Sequence, residues 1–398
     1  MNAYDAVIIG AGVLGAATAL ELAEAGLSVL VLERGAPNRE GSGTTAGNLH
    51  IQAVHTRRPG QEVPLDSEAL LPAQKAADEL WETAEERLDA DLEVRRNGGF
   101  MVAETAEQCQ ELRTKHVWER RAGLRTELLD GDAARDALPL LGPTVTAATW
   151  CPHDGYANPL KAAPAYLAAA GRLGGRVKAF TPVTGLERRG PTWRVHTPRG
   201  HHDTPVVVNT AGPWISEVSA LAGVDMKMSP VAIQMHVTVR ERPVLHHLVQ
   251  HIGEGMSVKQ VTAGNLLLGG GWPARRMDLD GRSSAGVTGL TGNAAQAVRI
   301  LPFLARLRLL RMWAGPLAAT PDEMPVIGPV PEREGLYVAG GTYAFTFAPL
   351  WGETLARMVR GERPRTDVSA FSPDRLTSPA GDAESDALAH TEKGTAPC

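Results

Sequence analysis

The six residues Gly10-Ala-Gly12-Val-Leu-Gly15 constrain what this chain can fold into more than any other stretch. They follow directly on AVII at 6–9, a short apolar, β-branched run that suits a buried parallel strand. A helical pattern over 16–25 comes next and stops at Gly26. A second buried strand over 28–32 ends at Glu33. Each part has a physical task in holding a dinucleotide. Gly10 permits the tight turn, Gly12 lets the backbone approach a pyrophosphate, and Gly15 lets helix and strand pack closely. Val13 and Leu14 belong to the helix N-terminus, whose free N–H groups and partial positive charge favour phosphate. Glu33 can accept hydrogen bonds from the ribose hydroxyls. An acid at that position disfavours the 2′-phosphate of NADP, which leaves FAD and NAD.

The rest of the composition narrows the class. The chain has 398 residues, 43% hydrophobic and 21% charged, which is ordinary for a globular protein and admits two or three domains or one composite unit. A net charge of −5 provides no basic excess to neutralise phosphates, so nucleic acid and anionic membrane are poor partners. Arg306, Arg308 and Arg311 alternate with leucines and read as a solvated helix or strand face. Cys109, Cys151 and Cys398 are far apart with no C-x-x-C, so no metal site and no iron–sulfur cluster is expected within the chain. Three reduced thiols suit a cytoplasmic protein. No apolar run approaches the roughly 20 residues that span a bilayer. The residues before the strand at 6–9 lack the basic region of a signal peptide.

After Glu33 the pattern leaves that of a simple NAD enzyme, in which strands and helices would keep alternating. A long loop covers 35–64, then a helical pattern runs over 67–90. LEVRRNGGFMVAE at 92–104 looks like two short strands joined by Asn97-Gly98. Segments 176–189 and 192–200 look like a hairpin. PVVVNTAGPW at 205–214 is a buried strand that turns at Ala211-Gly212, and 335–359 reads as a strand, a glycine turn and a helix. PVAIQMHVTVRE, LVQHI, MSVKQV and LLLGGGW read as consecutive strands of an antiparallel sheet, with a covering helix over 288–304. No internal repeat is visible.

Taken together, the fingerprint ending in Glu33-Arg34, VVVNTAGPW at 206–214, TPDEMPVIGP at 320–329 and YVAGGTYAFTFAP at 337–349 resemble the FAD-dependent D-amino-acid oxidase and glycine oxidase family, over residues 4–365. AGNLHIQ (46–52), GGFMVAET (98–105) and LLLGGGWPA (266–274) carry a narrower likeness. It is to the FAD-binding catalytic subunit of opine oxidases and of hydroxyproline or cyanide-forming dehydrogenases. The resemblance implies an α/β (α+β composite) fold: a Rossmann-like FAD-binding domain with an inserted antiparallel-sheet substrate domain. The FAD domain would comprise 1–56, 152–224 and 316–365, and the substrate domain 57–151 and 225–315. The polar tail, 372–398, is expected to be disordered.

The resemblance also implies which residues meet FAD. The loop after the ribose-binding acid wraps the pyrophosphate and then passes the flavin. Gly41, Ser42, Gly43, Thr44 and Thr45 are small enough for their backbone amides to reach the cofactor. Ala46, Gly47 and Asn48 would lie against the flavin, with His50 close by. Arg34, Val183, Ala211, Gly212 and Trp214 complete the nucleotide side. The second glycine turn supplies Gly340, Gly341, Thr342, Tyr343, Ala344, Phe345 and Thr346.

The implied reaction removes a hydride from the carbon next to an amine, giving an imine that hydrolyses, and FAD does the difficult chemistry. His50, with Asn48, is the candidate catalytic position. It could lower the amine's pKa, accept its proton, or only hydrogen-bond backbone near the flavin. One departure bears on substrate. Leu317 stands where many relatives place an arginine that clamps the substrate carboxylate, and Thr342 where glycine oxidase-like chains carry a second one. Free glycine or D-alanine is therefore in doubt. Trp313, Tyr343 and Phe345 would make an aromatic, larger pocket for a secondary amine, an opine or a D-amino or imino acid, unless they are ordinary core. Arg275 and Arg276 read as an anion site at the pocket mouth or as solvated surface. Lys259 is the one candidate for an oxidase lysine near the flavin, or else a strand-face residue. Electrons would pass to O₂, a quinone, or partner subunits carrying iron–sulfur centres. The alternatives are an oxidase of an unusual amine in a biosynthetic pathway, and a flavin-carrying assembly subunit of a multi-subunit dehydrogenase.

Overall fold

The computed structural model describes residues 4–54, 67–277 and 283–377. Among these, the chain begins with strand β1 (Ala6–Ile9), helix α1 (Val13–Glu24) and strand β2 (Val29–Leu32). β1 lies between β2 and the strand Val206–Asn209, parallel to both. Leu336–Gly340 extends the sheet on one side, with Val326–Pro329 antiparallel at the edge, and Arg176–Lys178 closes the other side. Side chains alternate between two cores. Ala6, Ile8, Val29 and Val31 face the side where α1 packs, with Tyr166 and Trp351 from the helices Pro159–Arg172 and Ala348–Val359. Val7, Ile9, Leu30 and Leu32 face Trp193, Val195 and Ile215. Burial on both faces is why these strands read as unbroken apolar runs.

The second large sheet has eight strands in the order Leu309–Ala319, Ser229–Arg240, Asn265–Pro273, Ser257–Gln260, Leu248–His251, Gly99–Ala103, Ala147–Cys151 and Glu127–Asp130. Its pairings are antiparallel except Leu248–His251 with Gly99–Ala103. Helix Val287–Ile300 covers it and gives way to a 3₁₀ turn beginning at Pro302, where the expected helix over 288–304 cannot continue.

Several expectations are corrected. No hairpin forms at Asn97-Gly98: Arg95 bridges to Tyr156, and Gly99–Ala103 enters the centre of the sheet with all five residues buried. Gly98 instead lets the Trp150 ring lie against the backbone, at φ +85°. Arg176–Lys178 joins the parallel sheet, and the hairpin is Gly185–Arg189 with Thr192–Thr197. The strand Ser229–Arg240 pairs with Asn265–Pro273 and Leu309–Ala319, not with the next strand in sequence. The helix expected over 67–90 is two, Ser67–Glu82 and Ala84–Leu88, ending in left-handed Asp89. Its Leu70, Leu71 and Trp81 join the core of α1 although the sequence assigned them to the substrate part, and the 315/316 boundary falls inside one continuous strand. Residues 372–377, expected to be disordered, are docked: Leu376 is buried and Arg375 pairs with Asp322 at 2.7 Å. Residues 378–398 lie outside the described residues, as do 55–66 of the long loop.

Candidate active site

At the glycine turn the backbone leaves no room for side chains. A Cβ on Gly15 would lie 2.0 Å from the carbonyl oxygen of Gly10. Gly10 has φ +103°, and its Cβ would meet the Thr210 carbonyl oxygen at 2.7 Å. A Cβ on Gly12 would meet the Ser42 hydroxyl at 2.9 Å. That hydroxyl accepts from the Val13 N–H at the start of α1, so the loop after β2 is closed over the helix N-terminus. The Glu33 carboxylate accepts from the N–H groups of Ala11 (2.9 Å) and Gly35 (2.8 Å), which fixes it at the end of β2. The Arg34 guanidinium stacks 3.5 Å above the Trp214 ring, so two residues singled out separately meet one another. Val183, Ala211, Gly212 and Trp214 line the same end of one cavity.

The loop 41–48 is built against the strand Leu309–Ala319. A Cβ on Gly41 would lie 2.7 Å from the Pro316 carbonyl oxygen, and one on Gly315 would lie 2.5 Å from the Thr44 hydroxyl. The Trp313 indole N–H donates to the Thr44 carbonyl at 2.8 Å. Trp313 therefore braces the loop and is not among the residues lining the cavity, contrary to its expected substrate role. Gly47, at φ +71°, lies against Ala157 and does not line it either. Gly41, Ser42, Thr44, Thr45, Ala46 and Asn48 do. Lys259 lies behind this loop, buried, and donates to the Ala46 carbonyl and to Asn48 Oδ1 (2.6 Å). Burial holds its amine well below the usual lysine range. The Asn48 amide oxygen is thus committed to Lys259.

The cavity measures about 1490 Å³ and runs from the glycine turn to the eight-stranded sheet. That exceeds the roughly 300–1,000 Å³ of a small-molecule pocket and leaves room for a dinucleotide beside a substrate. Gly340, Gly341, Thr342, Tyr343, Ala344, Phe345 and Thr346 form one wall. Tyr343 has φ +60° and meets the His50 ring edge-on at 5.7 Å. The Thr346 hydroxyl joins the two loops, donating to the Asn48 carbonyl and accepting from the His50 N–H, each at 3.2 Å. Phe345 lines the cavity but also stacks on Trp81 at 5.5 Å. Leu317 lies on the wall, as does Gln250, which hydrogen-bonds the His50 side chain.

Burial pushes the His50 imidazole down to about 4; the Gln250 hydrogen bond opposes this and the charge of Lys259 adds to it. His50 is therefore neutral at physiological pH. Behind it, Asp154 is fully buried, and burial raises it to about 6 against its hydrogen bonds from Gln52 and Ile51.

These two groups oppose each other in stability. His50, with a depressed folded pKa, contributes fully above its ordinary 6.5 and loses that contribution as pH falls toward 4. Asp154, with a raised one, contributes fully below 3.8 and loses it as pH rises through about 6. Each change is on the order of 3 kcal/mol, so they nearly cancel in the wild type. Asp154→Asn should leave the His50 slope exposed, with urea stability rising by roughly that amount from pH 4 to pH 6.5. A flat profile in the variant would contradict these assignments.

Sequence reasoning missed Gln250, Asp154 and Arg299. Arg275 is not among the cavity-lining residues, and the side chain of Arg276 lies outside the described residues. Arg299 lines the cavity, as do Arg34 and Arg39, and is paired with Glu104 (2.7 Å) and Glu254 (2.8 Å) beside buried His251. Ligand-type atoms of Glu104, His251 and Glu254 lie within 4.8 Å of one another, but Arg299 supplies the positive charge there. The signal available was a polar pair, Gln250-His251, ending an otherwise apolar strand.

Comparison with known proteins settles the family. The model of the DAO family, FAD dependent oxidoreductases, matches residues 5–358. The chain belongs to that family. It is 28% identical to glycine oxidase of Geobacillus kaustophilus over 382 residues, covering 95% of this chain and 98% of that one. The solved structure of a G. kaustophilus glycine oxidase superposes with a TM-score of 0.84 at 25% identity, over 95% of this chain and 100% of that one. L-proline dehydrogenase from P. horikoshii gives 0.83 at 26% identity, over 94% and 98%. Hydrogen cyanide synthase subunit HcnC of Pseudomonas aeruginosa is 28% identical over 415 residues, 92% of this chain and 95% of its own. This member of the DAO family is an FAD-dependent oxidoreductase, and the NAD reading falls away. Its residues fit the cofactor: the Gly12 cradle is one a Cβ would fill, the Glu33 carboxylate is fixed at the end of β2 beside that turn, and the cavity continues past the loop 41–48. Among the described residues no helix is long and apolar enough to cross a membrane.

Proposed function

We propose that this enzyme oxidises a secondary amine or imino acid at the carbon bearing nitrogen, and that the imine formed hydrolyses. When bound, FAD supplies the acceptor for the hydride. The observation that carries the substrate reading is that Leu317 and Thr342 both line the cavity, and neither offers the bidentate clamp that a small α-amino acid needs. An L-proline dehydrogenase among the relatives of the same fold supports a ring or N-alkyl amine. His50 acts as a neutral hydrogen-bonding group beside Gln250. A pKa of about 4 makes it a weak base, far from the value that suits proton transfer near pH 7. The substrate amine therefore arrives deprotonated or loses its proton to solvent.

The same reading assigns the eight-stranded sheet to the substrate domain, the six-stranded sheet to FAD, and the enzyme to the cytoplasm. The two described cysteines, Cys109 and Cys151, are free thiols, as a reducing compartment requires. A relative that is itself a subunit, HcnC, supports re-oxidation by a partner protein.

Anaerobic mixing of the yellow holoenzyme with sarcosine, D-proline, hydroxyproline, octopine and glycine tests this. A secondary amine should bleach the flavin at least about tenfold faster than glycine, a difference of about 1.4 kcal/mol in the barrier. Faster bleaching by glycine, or bleaching by none of the five, would sink the substrate reading. Slow return of colour in air then favours a partner acceptor over O₂.

A further inference from the structure

We propose that Asp154 is a positioning residue for the substrate wall, acting through the backbone of Ile51 and Gln52 and through the Gln250 amide. This rests on the function just given, because it concerns how that wall is held.

Asp154 sits between the strand Ala147–Cys151 and the short strand Gly155–Tyr156, with no exposed surface, and it is not among the residues lining the cavity. Its two oxygens divide the work. Oδ1 accepts from the N–H groups of Ile51 (2.8 Å) and Gln52 (2.9 Å). Oδ2 accepts from the side-chain amides of Gln52 (2.7 Å) and Gln250 (3.1 Å). One carboxylate thus joins the segment carrying His50 to the strand carrying Gln250, and both of those side chains line the cavity.

A carboxylate only accepts hydrogen bonds, so it dictates which way each amide points. The Gln250 NH₂ must face Asp154, and its carbonyl oxygen then faces away, toward the His50 wall. Gln52 is held from its other end as well. Its Oε1 accepts from Lys115 Nζ and Thr149 Oγ1, each at 2.8 Å, so it cannot turn. Gln250 has only the His50 side chain at its other end, so it is the one of the two amides that can respond when the carboxylate is altered.

The two roles separate with two variants of the holoenzyme. In Asp154→Asn one oxygen remains to accept from the Ile51 and Gln52 N–H groups, while the new NH₂ opposes the side-chain NH₂ groups of both Gln52 and Gln250; Gln52 is fixed by Lys115 and Thr149, so it is the Gln250 amide that turns over. In Asp154→Leu both roles are lost. Adding Gln250→Glu to Asp154→Asn restores a donor–acceptor pair with the same net charge as the wild type.

The readouts are backbone amide exchange at Ile51 and Gln52, and anaerobic flavin reduction by the five amines above. Asp154→Asn should keep the two amides protected and lose about tenfold or more in the limiting reduction rate. Asp154→Asn/Gln250→Glu should recover much of that rate. Asp154→Leu should exchange at least about tenfold faster at both amides than Asp154→Asn. Wild-type reduction by Asp154→Asn, or no recovery in the double variant, overturns the role of Gln250. Equal exchange in Asp154→Asn and Asp154→Leu overturns the anchoring of the loop. Should none of the amines reduce the wild type, the functional reading has failed, and the exchange comparison still decides whether Asp154 holds the wall.

Discussion

Gly12→Val yields a folded but colourless protein. The position that would hold the valine Cβ lies 2.9 Å from the Ser42 hydroxyl, which already accepts from the Val13 N–H. Two γ-methyls there would push Ser42 away and cover the N-terminus of α1, the very donors that a pyrophosphate requires. Loss of two such charge-assisted hydrogen bonds, at about 1.5–3 kcal/mol each, weakens FAD binding by roughly a thousandfold. Gly171→Ala is the control. Its Cβ would meet nothing within 4 Å, and it lies in the helix Pro159–Arg172, away from the cavity lining. Flavin absorbance after gel filtration reads both variants, and circular dichroism confirms the fold. A yellow Gly12→Val protein would show that the phosphates do not pass this turn.

The second large effect lies behind the site. Lys115 and Glu119, four residues apart on the helix Ala106–Arg121, are fully buried and paired at 2.5 Å. The Lys115 ammonium also donates to Gln52 Oε1, and Glu119 accepts from the Ala53 N–H at 2.8 Å. The pair therefore fixes the same loop that carries His50. Glu119→Leu leaves a buried ammonium without its partner and should cost about 3–5 kcal/mol. Lys115→Met should cost a similar amount by stranding the carboxylate. The double variant should lose much less than the sum, because two apolar side chains replace a pair whose attraction mostly offsets its own desolvation. Urea unfolding of the holoenzyme measures all three. Strict additivity would mean that the two charges do not interact.

The nucleotide half was legible because its determinants are local. The strand at 6–9, the glycines, the helix and Glu33 follow one another within 30 residues, and steric and electrostatic rules act at that range. The eight-stranded sheet was legible as separate strands but not in its pairing. Which strand lies beside which depends on contacts such as Gly99 with Cys151 and Leu248 with Gly99, far apart in sequence. The Asn-Gly signal at 97–98 lost to these pairings. The polar network was hidden for the same reason: Asp154 finds Gln52 across 102 residues and Gln250 across 96. Trp313 shows a different limit. An aromatic near a cofactor loop can face the cavity or brace the loop from behind, and only the indole hydrogen bond to Thr44 decides it.

The bond broken in the reaction is read most directly by isotopic substitution. The amine that bleaches the holoenzyme is mixed with it anaerobically, once unlabelled and once deuterated at the carbon next to nitrogen. Removal of hydride from that carbon predicts that deuterium slows the loss of flavin colour severalfold at saturating amine. Equal rates for the two compounds would mean that this C–H bond is not broken as the flavin is reduced, and the proposed chemistry would be wrong.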